Sequence, residues 1–167
     1  MARDEDFDEF AAAAWPRLRW SAYLLTGDHH LAEDLAQTVL ARTYSHWSRV
    51  RREDALAYSR RVLVNLNIDR LRRRRIHEVS DAYAPDGAAP ERTAEDHANR
   101  AEVLVLLAAL TDRERRVVVL RHYFDLSEAD AAAELGLAPG TVKSTLSRAL
   151  GKLRVAAGSA LTTKGQS

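Results

Sequence analysis

The sequence predicts an all-α protein built as two small helical domains joined by a flexible linker. Three observations carry that prediction. Apolar residues recur at spacings of three and four in both halves of the 167-residue chain. Residues 1–75 contain no alternating strand pattern. Between them, the segment IHEVSDAYAPDGAAPERTAED, residues 76–96, holds two of the four prolines and has no apolar stripe, so it reads as a linker. A hydrophobic content of 46% supplies cores for domains of this size.

In the first half, Phe7, Phe10, Ala14 and Leu18 line one helical face, with Pro16 expected to mark a kink or a junction between two helices. Gly27 breaks the pattern and Asp28 is a good N-cap for a helix from about His30 to Trp47, which carries Leu31, Leu35 and Val39 on one side. A third helix is expected to begin near Asp54 and run into a block of arginines. In the second half, Val103, Leu106, Leu107 and Leu110 form a stripe. Thr111 to Glu114 then spells a capping box that opens VVVLRHYF.

Ser127 caps a short helix to Leu135, Gly136 supplies the positive-φ stop, and Pro139 suits the first turn of the next helix. This is helix, turn, helix. On the second of these helices Val142, Leu146, Leu150 and Leu153 are expected to line the buried side, leaving Thr141, Ser144, Ser147 and Arg148 outward. Such a short, polar, basic face can donate to phosphates and base edges in a major groove, and Ala131 and Ala132 let the two helices approach closely. A solvated helical hairpin is the alternative that this stretch alone leaves open.

Charge is distributed unevenly although the net charge is only +1. Seven arginines stand against Asp69 alone between Arg60 and Arg75, and Lys143, Arg148, Lys152 and Arg154 face no acid between Pro139 and Arg154. Acids collect instead in the opening residues Asp4, Glu5, Asp6, Asp8 and Glu9 and in the linker. With no cysteine, disulfide frameworks and thiolate metal sites are excluded, and the six histidines lack zinc-site spacing. No glycine-rich phosphate loop, nucleophile elbow or paired-carboxylate pattern is present. The expectation is therefore a protein with no metal, no cofactor and no enzymatic activity. An acidic N-terminus and the lack of any apolar run of membrane-spanning length predict no membrane insertion and a cytoplasmic address.

Three stretches fix a resemblance. Residues 110–154, LTDRERRVVVLRHYFDLSEADAAAELGLAPGTVKSTLSRALGKLR, resemble region 4 of the extracytoplasmic-function group of bacterial RNA polymerase sigma factors. Residues 25–47, LTGDHHLAEDLAQTVLARTYSHW, resemble regions 2.1 to 2.2 of that group, and residues 57–75, AYSRRVLVNLNIDRLRRRR, resemble regions 2.3 to 2.4. The resemblance implies region 2 over 1–75, a linker over 76–96, region 4 over 97–157 and a flexible tail over 158–167.

It also implies partners and sites. Region 2 of such factors docks on the clamp of core RNA polymerase and opens promoter DNA at the minus-10 element; region 4 holds the minus-35 element and the polymerase flap. Carried over by motif, Asp34 and Gln37 fall at the clamp contact and Asn65 at the position that reads an unstacked base. Arg60, Arg61, Arg72 and Arg73 suit the minus-10 phosphate backbone. Thr141, Lys143, Ser144, Thr145, Ser147 and Arg148 form the minus-35 set, with Lys152 as a phosphate grip. Glu33 and Asn67 are read as ordinary helix-surface residues, Asp69 equally as a structural residue placed to pair with Arg72 and Arg73, and Trp15, Trp20, Trp47, Tyr44 and Tyr58, which could stack on bases, as core with no site assigned. A dedicated anti-sigma protein is a further partner that the resemblance allows. The rival readings are a helix-turn-helix repressor or activator acting without polymerase and a purely structural helical module.

Overall fold

The computed structural model describes residues 2–78 and 94–164. The chain divides into two compact units, Met1–Ala89 and Pro90–Ser167. In the first, α1 (Ala2–Thr26), α2 (His29–Ser45) and α3 (Ala55–Glu78) pack on one another, with a single 3-10 turn at Arg52–Asp54 before α3. Leu18, Ala22, Ala36, Val39, Ala55, Leu63 and Val64 are essentially inaccessible to water and form the centre of this unit.

Of the two roles the sequence allowed Pro16, a kink or a junction, it is not a junction: α1 is continuous through it. An interior proline costs a helix about 3 kcal/mol. Here Ala14 and Leu18 on either side of it are buried, and α1 packs along both α2 and α3, so tertiary burial outweighs the local penalty. Gly27 takes φ +69° and Asp28 accepts the Leu31 amide at 3.0 Å, which stops α1 and starts α2 within two residues. Between α2 and α3, the buried hydroxyls of Thr43 and Ser59 meet at 3.0 Å.

The acidic start of α1 is fastened to its own unit. Phe7 packs against Tyr44 and Trp47 with ring centroids 4.9 and 5.2 Å apart, and Phe10 lies 5.1 Å from Trp47. Around these rings Arg52 pairs with Asp6 at 2.9 Å and Glu9 at 3.2 Å. The Tyr44 hydroxyl donates to Asp4 at 2.8 Å, and that hydrogen bond to the carboxylate raises the phenol's pKa above its ordinary value. Tyr44 is thus a surface ring, not the core residue the sequence reading made it.

The second unit comprises α4 (Ala94–Ala108), α5 (Asp112–Val118) continuing into a π-turn at Val119–Tyr123, α6 (Glu128–Leu135) and α7 (Pro139–Lys164). Leu107 and Leu110 are buried, but Val103 is 39% exposed, so the stripe expected on α4 is only its C-terminal half. The capping box is complete: the Glu114 amide reaches Thr111 Oγ1 at 3.2 Å and the Thr111 amide reaches Glu114 Oε2 at 3.0 Å. The same Glu114 oxygen accepts Lys152 Nζ at 2.8 Å, tying α5 to α7. Glu114 is buried, and the Lys152 hydrogen bond, followed by the Thr111 amide, holds its carboxyl below the ordinary carboxylate pKa.

Ser127 accepts the Asp130 amide at 3.0 Å to open α6. At its end, Gly136 has φ +65°, Leu137 N bonds Ala132 O at 2.9 Å and Gly136 N bonds Ala133 O at 3.4 Å, a Schellman stop. Pro139 then opens α7, whose first amides, Thr141 and Val142, return to Ala138 O.

The boundaries differ from the expected ones. Helix α3 runs on to Glu78 and α4 begins at Ala94, so helix takes the outermost residues of the 76–96 segment; residues 79–93 lie outside the described residues. The stretch expected as a tail from 158 continues α7 to Lys164, since alanine-rich sequence flanks Gly158 and one glycine costs a helix only about 1 kcal/mol.

Candidate nucleic-acid interface

On α7 the side chains of Lys143, Ser144, Ser147 and Arg148 are exposed and Thr141 is half-exposed, giving an acid-free face at the start of the second helix of the helix-turn-helix. Thr145 is not on it. Only 1% of Thr145 is accessible, because the buried line of α7 is Val142, Thr145 and Ala149, while Leu146, Leu150 and Leu153 stand half-buried on its flank. The small residues suit close helix packing, and α7 packs against both α5 and α6, the latter carrying buried Ala131 and Ala132. Lys152 donates one N–H to Glu114 Oε2 at 2.8 Å while its side chain stays 44% exposed, so it ties α5 to α7 as well as standing on the surface. Ser144 donates to Thr141 O at 3.2 Å, which leaves its oxygen lone pairs outward.

In the first unit Arg61, Asn65 and Arg72 fall on one stripe of α3, spaced by four and seven, and all three are exposed; Arg73 is exposed beside them and Arg60 half-exposed. Asp69 is exposed too, and among the described residues no ion pair joins it to Arg72 or Arg73. Asn67, read from sequence as a surface residue, is 1% exposed, and its Oδ1 accepts Arg70 Nη2 at 3.3 Å. A buried amide is tolerated there because it has a partner.

The Arg61 end of this stripe opens on a cleft of about 300 Å³ lined by His46, Arg49, Val50, Arg51, Asp54, Tyr58 and Arg61. The His46 and Tyr58 rings stand 6.1 Å apart in it. Sequence reasoning passed over His46, Arg49 and Arg51. They come together only because the chain turns between α2 and α3, and no motif spells that turn; a cluster of three arginines at 49, 51 and 52 was the one available signal.

On α2, Asp34 and Gln37 are exposed one turn apart. Glu33 beside them pairs with Arg19 at 3.1 Å. Among the described residues no group of His, Asp or Glu is placed to hold a metal ion, and no helix is long and apolar enough to cross a membrane.

Known proteins share these features in the same order. The Sigma-70 region 2 family model matches residues 12–76 and the Sigma-70, region 4 model matches residues 100–153. The RNA polymerase sigma-E factor of Streptomyces coelicolor is 42% identical over 152 residues, covering 89% of this chain and 84% of that protein. Its counterpart in Streptomyces avermitilis is 41% identical over 157 residues, covering 92% and 87%. The ECF RNA polymerase sigma factor SigL of Mycobacterium tuberculosis is 36% identical over 155 residues, covering 89% and 85%. Among solved structures, the sigma factor RpoE in complex with the anti-sigma factor NepR from Bartonella quintana aligns with a TM-score of 0.76 at 25% identity, over 92% of this chain and 98% of that one. With both conserved regions matched in order, and relatives of this identity aligned over most of their length, the chain belongs to the extracytoplasmic-function group of the sigma-70 family of RNA polymerase sigma factors.

Proposed function

We propose that this chain is a promoter-recognition subunit: it joins core RNA polymerase through Asp34 and Gln37 on α2, engages the minus-10 element with α3, and reads the minus-35 element with α7. The observation that carries the reading is the pairing of two exposed basic faces, Arg61–Asn65–Arg72 and Lys143–Ser144–Ser147–Arg148, each within a matched sigma region. Arginines supply affinity for phosphate without reading sequence. Asn65 has an amide that both donates and accepts toward the edge of an unstacked base. The basic cleft beside Arg61, with its two rings, suits a displaced single strand, which proteins hold by charge and stacking. The chain makes and breaks no covalent bond in this role, and it acts in the cytoplasm, where polymerase and promoter are. An anti-sigma protein is the expected third partner.

The test is the ranking of minus-35 sequences. Replacing Arg148 or Ser144 with Ala should reorder promoter preference, since a well-placed base contact discriminates by about 1–3 kcal/mol. Transcription by reconstituted polymerase from templates that differ only in the minus-35 element reads this out. A ranking unchanged in Arg148→Ala contradicts a base-reading α7.

A further inference from the structure

Among the residues of α7 whose burial is described, Thr145 holds the only buried hydroxyl, at a position 1% exposed. A buried hydroxyl needs a partner. Its partner is the guanidinium of Arg148, whose Nη2 donates to Thr145 Oγ1 at 3.4 Å. Arg148 itself is an exposed residue with a long, many-rotamer side chain, and it follows Thr145 by three residues, the spacing at which helical side chains meet. Side chains in a helix lean toward its N-terminus, so the hydroxyl sits on the side toward which Arg148 already inclines.

We infer that Thr145 is a specificity-determining positioning residue: it does not touch DNA, and its buried hydroxyl sets the direction of the Arg148 guanidinium on the recognition face. The inference rests on the reading of Arg148 as a base contact. An arginine held by one nitrogen keeps its remaining donors as an oriented fork, and discrimination between bases depends on that orientation. Phosphate attraction does not. Loss of the hydroxyl therefore acts on the choice between promoters more than on affinity for DNA in general.

The experiment uses the full chain with core polymerase and templates differing only in the minus-35 element. Thr145→Val keeps the branched shape and removes the hydroxyl; Thr145→Ser keeps the hydroxyl. Thr145→Val should compress the ratio between the best and the second-best minus-35 sequence on the order of three- to tenfold, the range set by one modest hydrogen bond. Thermal melting should stay near that of the parent, and Thr145→Ser should restore the ratio. In an Arg148→Ala background Thr145→Val should change nothing further, because the two residues act as one unit. The inference is overturned if Thr145→Val preserves the ratio while Arg148→Ala changes it, or if the two substitutions act additively. Should Arg148→Ala itself leave the ratio intact, the reading beneath the inference fails and the positioning role falls with it.

Discussion

Asn65→Ala is expected to cut transcription from a duplex promoter by roughly tenfold or more, while a template already unpaired across the minus-10 region loses much less. A base leaving the stack forfeits pairing and stacking worth a few kcal/mol, and the protein must return part of that through contacts with the exposed edge. Asn65 sits exposed in the middle of α3, in line with Arg61 and Arg72, so its amide has no packing role to lose. On the pre-opened template the unpairing cost is gone, and with it most of the need for the contact. Run-off transcription on the two templates, with polymerase binding measured in parallel, checks this. Equal losses on both would assign Asn65 to docking or folding instead.

Lys152→Met is expected to destabilise the second unit by about 1–3 kcal/mol, the worth of a hydrogen bond to a charged group left buried without its partner. The lower end of that range is favoured because the Lys152 side chain is 44% exposed and water screens the pair. Glu114 is the residue that suffers, since its side chain is only 8% exposed. The pair also gives a pH dependence. Glu114 titrates below its ordinary value of 4.5 in the folded chain, so its contribution is fully present above that value and is lost as pH falls through the lower folded pKa. Melting curves between neutral pH and the acid range should therefore lose stability faster in the parent than in Lys152→Met. A Lys152→Met protein that melts like the parent, yet binds all promoters more weakly with a shallower salt dependence, would return Lys152 to the phosphate-gripping role that sequence alone suggests.

Local chemistry made much of the fold legible. The Asp28, Thr111 and Ser127 caps and the Gly136 stop are each written within three or four consecutive residues, and each forms the bond its sequence spells. What depends on a partner element was not legible. Leucine spacing on α7 pointed to 146, 150 and 153 as the buried line, but packing of α7 against α5 and α6 buries the smaller Thr145 and Ala149 instead. Asn67 is polar by composition and buried by position, a state that requires the Arg70 donor to be in place. Pro16 illustrates the same rule in reverse, with distant packing overriding a strong local signal. The interface divides accordingly: the exposed α3 and α7 residues could be read by periodicity, whereas the cleft at His46, Arg49 and Arg51 exists only once the chain turns.

This chain should find promoters as a subunit of polymerase and not alone. The most direct measurement is promoter binding and run-off transcription by the full chain with and without core polymerase, set beside an Asp34→Ala/Gln37→Ala double variant. Alone, the chain should bind promoter duplex weakly, with little sequence preference and a steep loss on adding salt, because phosphate contacts then dominate. With core polymerase, binding should become promoter-specific and yield a transcript, since contacts on one chain reinforce each other when both are engaged. The double variant, still helical by circular dichroism, should lose polymerase binding and transcript together. Tight, sequence-specific binding by the free chain, with no transcript when core polymerase is added, would contradict the account and favour a helix-turn-helix regulator that acts without polymerase.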